Sequence, residues 1–404
     1  MAGYAATVVI VTLGMLLAAV PLARSGPFGI VSWVLSDLVN ESPSLGFGYL
    51  MLATVPLIAG GDLGRPAMLA WFLVGCTSFL LTPVLLSRSA EAREVLREAL
   101  DHGLRPGWRQ LAASAASAWR SRLPWARIAL FPLPVFPLGV RRRRGLRYGP
   151  VRRNRLDVYR APGHEGGRPV LIHLHGGGFR TGRKSLYARP LLQAFARHGW
   201  VCISASYRLR PARYVEMLTD VKRVLAWTRQ NVTHFGGDPN VVVLAGSSAG
   251  AHLALTAALT ANDRRFQPGF EKVDTSVAAA VGLYGYYGPV DRDGPPSQPG
   301  AYAHRQVPPI MIVHGAQDTL LPPRAAADLA DQLRQASASP VVYAELPGAQ
   351  HTFDLLHSLR FELVIDALWS FCTLATAKPA HQSLTRIPDH RGRPRYHAEP
   401  KGNP

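Results

Sequence analysis

Lysine is nearly missing from this chain. Its 404 residues hold five, at Lys184, Lys222, Lys272, Lys378 and Lys401, against 40 arginines, a bias that suits a high-GC genome. Cysteine is scarce as well. Cys76, Cys202 and Cys372 are scattered with no Cys-x-x-Cys, which argues against a disulfide framework and a cysteine-ligated zinc site. Cys202 lies in the apolar run "WVCISAS" and is expected in the core. Neither a metal nor a cofactor is expected. No Lys or Arg precedes the first apolar stretch, so the positive segment that opens a cleaved signal peptide is missing.

Acids are outnumbered. Lys and Arg total 45 against 26 Asp and Glu, for a formal net charge of +19. The excess sits on the flanks. Residues 1–155 carry 18 Arg and 7 acids, and residues 373–404 carry six basic residues and two acids. No nucleic-acid motif accompanies the charge, so nucleic acid is not an expected partner. Beside apolar segments, membrane lipid is, and anionic lipid in particular.

What is present is apolar. Hydrophobic residues make up 48% of the chain, high for a fully soluble protein. Tyr4–Leu22, "YAATVVIVTLGMLLAAVPL", holds no charge, and about 20 such residues cross a bilayer. Pro43–Gly61 and Pro66–Ser87 follow, so residues 1–87 read as a transmembrane region of about three helices, with an interfacial helix over Phe28–Val39. Arg88, Arg93, Arg97, Arg105 and Arg109 follow the third span, which puts the C-terminal body on the cytoplasmic side of a cell membrane. Residues 88–145 read as amphipathic helices and a Pro/Arg-rich linker. Within them "RSAEAREVLREALDHG" is expected to be a solvated helix with internal ion pairs, and "RRRR" at 141–144 a basic connection. A catalytic domain is expected over 146–373 and a basic, disordered tail over 374–404.

From "LDVYRAP" onward, short apolar strands alternate with helices. "VLIHLH", "WVCISAS", "VVVLAG", "VAAAVGLY", "IMIVHG" and "VVYAEL" read as strands, and Asp354–Thr373 as the last helix. The pattern indicates a mostly parallel sheet with helices on both faces, in which function gathers at the strand C-terminal ends.

Three of those ends carry chemistry. "VVVLAGSSAGAHLAL" (241–255) places Ser248 in Gly-x-Ser-x-Gly, the spacing of the strained elbow that lifts a serine above a sheet. An ordinary strand-to-helix loop with Ser near the N-cap has the same letters. A serine hydroxyl is a weak nucleophile and needs a base, an orienting acid and oxyanion donors. "LIHLHGGGFRTG" (171–182) supplies a His-Gly-Gly-Gly loop of the oxyanion type. No Gly-Lys-Ser/Thr follows it, which disfavours a phosphate loop. His175 itself is expected to be structural. Asp318 in "IMIVHGAQDTLLP" and His351 in "VVYAELPGAQHTF" complete the order Ser, Asp, His of the α/β-hydrolase fold. Glu345 and Asp354 are rival acids, one inside a strand and the other close in sequence to His351. His357, in the final helix, and His252 are not assigned to the site. Tyr284, Tyr286 and Tyr287, after the next strand, line a substrate pocket or are simply core and loop aromatics.

Residues 146–372 resemble the hormone-sensitive-lipase-like group of α/β-hydrolase esterases in "HGGGF", "SYRLRPA", "DVKRVLAW", "GGDP", "GSSAG", "GAQDTLLP" and "GAQHTF". The resemblance implies Ser248 as nucleophile, His351 as base and Asp318 as orienting acid. It also implies oxyanion donors at Gly177, Gly178 and Ala249, with Gly176 shaping the loop. Many relatives carry Asp where this chain has Ser247, and an acidic or aromatic residue near Arg210-Pro211-Ala212. The membrane segments lie outside the resemblance, as in membrane-tethered bacterial carboxylesterases. The expected function is hydrolysis of a small-molecule or lipid ester through an acyl-enzyme. An amide-directed relative, arylformamidase-like or a peptidase, shares the machinery, and a membrane scaffold that only binds is the non-catalytic alternative.

Overall fold

The computed structural model describes residues 2–377 except Arg24, 116–119, 121, 136–138 and 164–165. The expected tail lies outside the described residues from 378 onward.

The N-terminal region is helical: α1 Ala2–Ala19, α2 Gly26–Glu41, α3 Pro43–Ala59, α4 Pro66–Ser78, α5 Thr82–Gly103, α6 Trp108–Ala115 and α7 Trp125–Ala129. Pro27, Pro43, Pro66 and Pro83 sit in the first turns of α2 to α5, where a missing N–H costs nothing. A single 3₁₀ turn joins α4 to α5, giving an unbroken stretch of 38 residues, Pro66–Gly103. That stretch and α1 are long and apolar enough to cross a membrane. The pair α2 and α3, bent by 94°, makes a third candidate.

Helix α5 departs from the solvated helix expected over 88–103. Its outer face does carry ion pairs from Arg97 to Glu94 and Asp101. Its inner face, Ala92, Leu96, Ala99 and Leu100, is buried in the main hydrophobic core. Gly103 packs so closely on the sheet that a Cβ there would lie 2.6 Å from Val342 Cγ2. The alternating Arg and Glu that suggested a fully solvated helix occupy only the outer face.

The body is one eight-stranded sheet in the order β1 (Arg141–Arg147), β2 (Arg155–Arg160), β4 (Val201–Ala205), β3 (Arg168–Leu174), β5 (Gly237–Ser247), β6 (Ala279–Leu283), β7 (Ile310–Gly315) and β8 (Val341–Leu346). From β4 to β8 all neighbours are parallel, while β1 and β2 run antiparallel at one edge. The central strands are mostly apolar because helices cover both faces. These are α8 (Arg189–Arg197), α9 (Tyr214–Asn231), α10 (Ala249–Leu259), α11 (Arg324–Ala336) and α12 (Leu359–Thr376). The last helix starts five residues later than expected and ends at Thr376, past the expected boundary at 373. Ser358 caps it by accepting from the Phe361 amide at 3.0 Å, so Asp354 and His357 lie in the preceding loop. Cys202 is fully buried in β4.

The sheet also begins earlier than expected, inside the arginine run. Arg142 donates to Asp157 on β2 at 2.6 Å, and Lys184 (3.0 Å) and the Gly145 amide (2.7 Å) complete the shell of a fully buried carboxylate. Burial pushes the Asp157 carboxyl up, but Arg142, Gly145 and Lys184 together outweigh it and hold the group below the usual carboxylate range. Part of what reads as a basic linker is therefore an edge strand whose second arginine neutralises a buried acid. Arg142→Ala should cost about 3 kcal/mol in chemical unfolding of the detergent-solubilised protein, because it strips a partner from a buried charge. Arg143→Ala, on the exposed side of the same strand, should stay within about 0.5 kcal/mol of wild type.

Candidate active site

The turn after β5 is shaped by close approach. A Cβ at Gly246 would lie 2.2 Å from the Gly250 carbonyl oxygen, and one at Gly250 would lie 2.2 Å from the Leu174 oxygen. Only glycine fits either place, so α10 can start within one residue of the strand end. Between them Ser248 takes φ 54°, ψ −119°, a conformation that L-residues avoid and that the elbow enforces.

The loops after β7 and β8 meet this serine. His351 Nε2 lies 3.0 Å from Ser248 Oγ, and His351 Nδ1 lies 2.7 Å from Asp318 Oδ2. All three residues are buried. Asp318 Oδ1 accepts from the Leu320 and Leu321 amides at 3.0 and 2.7 Å, which fixes the carboxylate. Burial pushes Asp318 up, but His351 and His314 more than offset it and hold the carboxyl well below its ordinary range. An ionised acid, an imidazole and a hydroxyl in this order can draw the proton from the hydroxyl.

The glycine loop after β3 borders the same space. Gly177, Gly178, Ser248, Ala249 and His351 line one pocket of about 440 Å³ together with Trp33, Phe179, Tyr187, Tyr286, Leu320, Leu321 and Thr352. Gly177 and Gly178 have φ of 120° and 59°. Ala249 opens α10, so its amide has no acceptor within the helix. Gly176 lies behind the loop, where a Cβ would stand 3.1 Å from Ser248 Cβ. His175 is buried, stacked on Tyr207 at 4.5 Å, and held to about 4 by burial. His252 is buried between Tyr214 and the Gly288 carbonyl, and His357 pairs with Glu362 at 2.5 Å.

The three tyrosines separate. Only Tyr286 lines the pocket. Tyr287 is buried with its hydroxyl packed over Gly282 and Gly285, where Cβ atoms would lie 2.4 Å from its oxygen. Tyr284 is fully buried, its ring 4.7 Å from that of His351. Tyr284 leaves the extended path of β6 with φ of 39° while its amide still donates to the Val313 carbonyl at 2.7 Å, and its side chain packs into the main core.

Of the rival acids, Glu345 is an exposed residue of β8 bonded to Tyr343. Asp354 is fully buried beside the elbow. It accepts from Ser247 Oγ at 2.5 Å and from the Tyr284 hydroxyl. With its proton given to Asp354, Ser247 accepts from His173 Nε2 at 2.8 Å. Among the pocket residues that sequence reasoning left out are Trp33 from α2 and Thr352 beside His351. The signal for Trp33 was the polar row Ser32, Ser36, Asp37 and Asn40 at helical spacing around it, which marks a face turned toward protein.

Burial pushes the Asp354 carboxyl up to about 6 against the pull of its two hydroxyl donors. The folded state thus favours its protonated form. The stability this contributes is present in full below the ordinary value of 3.8 and is lost as pH rises through about 6. Relative to wild type, Asp354→Asn should gain roughly 2 kcal/mol in unfolding free energy between about pH 4 and pH 7. A constant difference across that window would show that Asp354 titrates normally.

The BD-FAE family model matches residues 156–293, which hold the glycine loop and the elbow. The probable carboxylic ester hydrolase LipM of Mycobacterium tuberculosis is 37% identical, across 84% of this chain and 85% of LipM. The esterase LipQ of the same organism is 38% identical across 55% of this chain and 60% of its own. Among solved structures, the apo form of Thermogutta terrifontis esterase 2 shares the fold with a TM-score of 0.50 and 22% identity, covering 58% of this chain and 94% of that one. With LipM matched along most of both lengths, the chain belongs to the hormone-sensitive-lipase-like group of α/β-hydrolase esterases.

Proposed function

We propose that this carboxylic ester hydrolase works through a Ser248–His351–Asp318 triad and is held in a membrane by its N-terminal helices. The observation that carries the triad is the relay of 3.0 and 2.7 Å contacts joining three strand-end loops behind one pocket. Ser248 Oγ attacks the ester carbonyl carbon while His351 Nε2 takes the serine proton. The resulting oxyanion is held by amides of the glycine loop, Gly177 and Gly178, and by Ala249. As the intermediate collapses, the C–O bond to the alcohol breaks and His351 returns the proton to the leaving oxygen. Water then attacks the acyl carbon, losing a proton to His351; as this second intermediate collapses, the bond from the carbonyl carbon to Ser248 Oγ breaks, His351 returns the proton to Oγ, and the carboxylic acid departs. Asp318 stays ionised throughout and holds the imidazole in the tautomer with a proton on Nδ1.

The membrane reading is supported by the layout of the helices. Helix α1 and the stretch Pro66–Gly103 are long and apolar enough to cross, and the bent pair α2 and α3 is so when taken together. Arg88 donates to the Ala19 carbonyl at 2.7 Å, which brings the C-terminal end of α1 and the arginine-rich part of α5 to one side. The positive-inside tendency makes that side, with the catalytic body, cytoplasmic.

Ser248→Ala should abolish both ester turnover and labelling by a fluorophosphonate, with thermal unfolding unchanged. Asp318→Asn should lower kcat by about 10⁴-fold by favouring the wrong tautomer. Near-normal turnover in either variant would overturn the triad. Tyr286→Ala should shift the acyl-length preference on a series of p-nitrophenyl esters. Tyr287→Ala should leave the preference alone and destabilise the fold by about 3 kcal/mol, as loss of a buried aromatic does.

A further inference from the structure

Helix α2 has its faces reversed. In a water-exposed helix the apolar stripe is buried and the polar stripe is solvated. Here the buried positions include Ser32, Ser36, Asp37, Asn40 and Glu41. The outward positions are Phe28, Ile30, Val31, Val34 and Leu38, each 44–67% exposed.

The polar face is fastened to the two loops that carry the acid and the base. Thr319, next to Asp318, donates to the Gly29 carbonyl at 2.7 Å. A Cβ on Gly29 would stand 2.6 Å from the Thr319 oxygen, so the contact needs glycine. Trp33 Nε1 donates to Thr352 Oγ1 at 3.2 Å, and Thr352 donates in turn to Asp37. Asn40 reaches the Gly348 carbonyl at 2.8 Å. Between these anchors the Trp33 ring meets the edge of His351, 5.9 Å centre to centre, and forms a wall of the pocket that holds Ser248.

The apolar face has a defined surrounding. Helix α2 begins a few residues after α1 and turns by 94° into α3. With α1 and α3 along the membrane normal, α2 lies flat at the body-side surface, polar face on the catalytic loops and apolar stripe toward hydrocarbon. A contiguous apolar stripe of this kind is costly in water and stable in the interfacial layer of a bilayer.

Resting on the ester-hydrolase reading of Ser248, we propose that α2 is a lipid-facing wall of the active site and that the substrates are esters carried in the bilayer. The acyl chain enters past Trp33 from the membrane side. Its carbonyl then reaches Ser248 without the chain having to cross water.

The test uses the full chain in lipid nanodiscs with two esters of one leaving group. p-Nitrophenyl acetate arrives from water and p-nitrophenyl palmitate resides in the bilayer. The triple variant Phe28→Ser, Val34→Ser, Leu38→Ser should lose at least tenfold in palmitate turnover and stay within twofold of wild type on acetate. Parallel losses on both esters, no loss on either, or a wild type that ignores palmitate would overturn the inference. Absence of acetate turnover and fluorophosphonate labelling in the wild type would instead overturn the ester-hydrolase reading. Should the triple variant not fold, a fluorescent label on Val34→Cys in a Cys76→Ser background decides. Quenching by brominated acyl chains and protection from aqueous iodide is the expected result. Quenching by iodide, or by neither agent as when another protein covers the stripe, would sink it.

Discussion

The carboxylate of Glu41 is buried between the Ser358 hydroxyl, at 2.7 Å, and the guanidinium of Arg360. A charge taken out of water is tolerated only when paired and hydrogen-bonded, and removal of one partner from such a pair costs about 3–5 kcal/mol. The same demand applies along the whole buried row of α2, so that helix can occupy one place only. That place spans the Asp318 loop, the His351 loop and the start of α12. These loops are long and carry little secondary structure, yet catalysis needs the acid and base fixed to within a fraction of an ångström. The strap across them is what holds them, and the reversed faces of α2 are its consequence: the side chains that bond these loops all lie on the protein side.

Beneath the strap, a second constraint sets the elbow. Gly246 and Gly250 bring β5, α10 and the end of β3 into contact at distances no side chain permits, and this raises Ser248. The residue before it then points inward and must be small. Ser247 fits and joins His173 on β3 to Asp354 in the His351 loop, with Tyr284 on the far side. The Ser247 hydroxyl reaches the buried carboxylate of Asp354, three residues after His351, and so links the His351 loop to the strand under Ser248.

How far the sequence revealed this arrangement depended on whether the constraint was local. The elbow, the glycine loop, and the loops holding Asp318 and His351 were legible because each is a strand end followed by residues with a steric or chemical need. Four features were not. Arg142 reads as linker charge because nothing local says that Asp157 will be buried opposite it. Residues 88–103 read as solvated because the ion pairs mark the outer face, while small Ala92 and Ala99 mark the inner one only weakly. Tyr284 and Tyr287 share a motif with Tyr286, and only the backbone beyond β6 decides which of them faces the pocket. The helical nature of α2 was readable from its period. Its position over the site was not, because it rests on partners some 290 to 320 residues away.

Helix α5 extends the argument from the site to its orientation. A helix of 22 residues is about 33 Å of rigid rod. Its first turns continue an apolar span, and its later turns are part of the main core with Leu171, Phe195 and Trp369. No hinge separates the two halves, so the body is not tethered by a linker about which it could swivel. Removing residues 1–103 would strip Ala92, Leu96, Ala99 and Leu100 from the core and leave the loop groups bonded to α2 without those partners. Within the arginine run at 141–144, Arg142 is already committed to Asp157. The pocket is held relative to the N-terminal helices by the packing of α5 and by the bonds that α2 makes to the loops around Ser248.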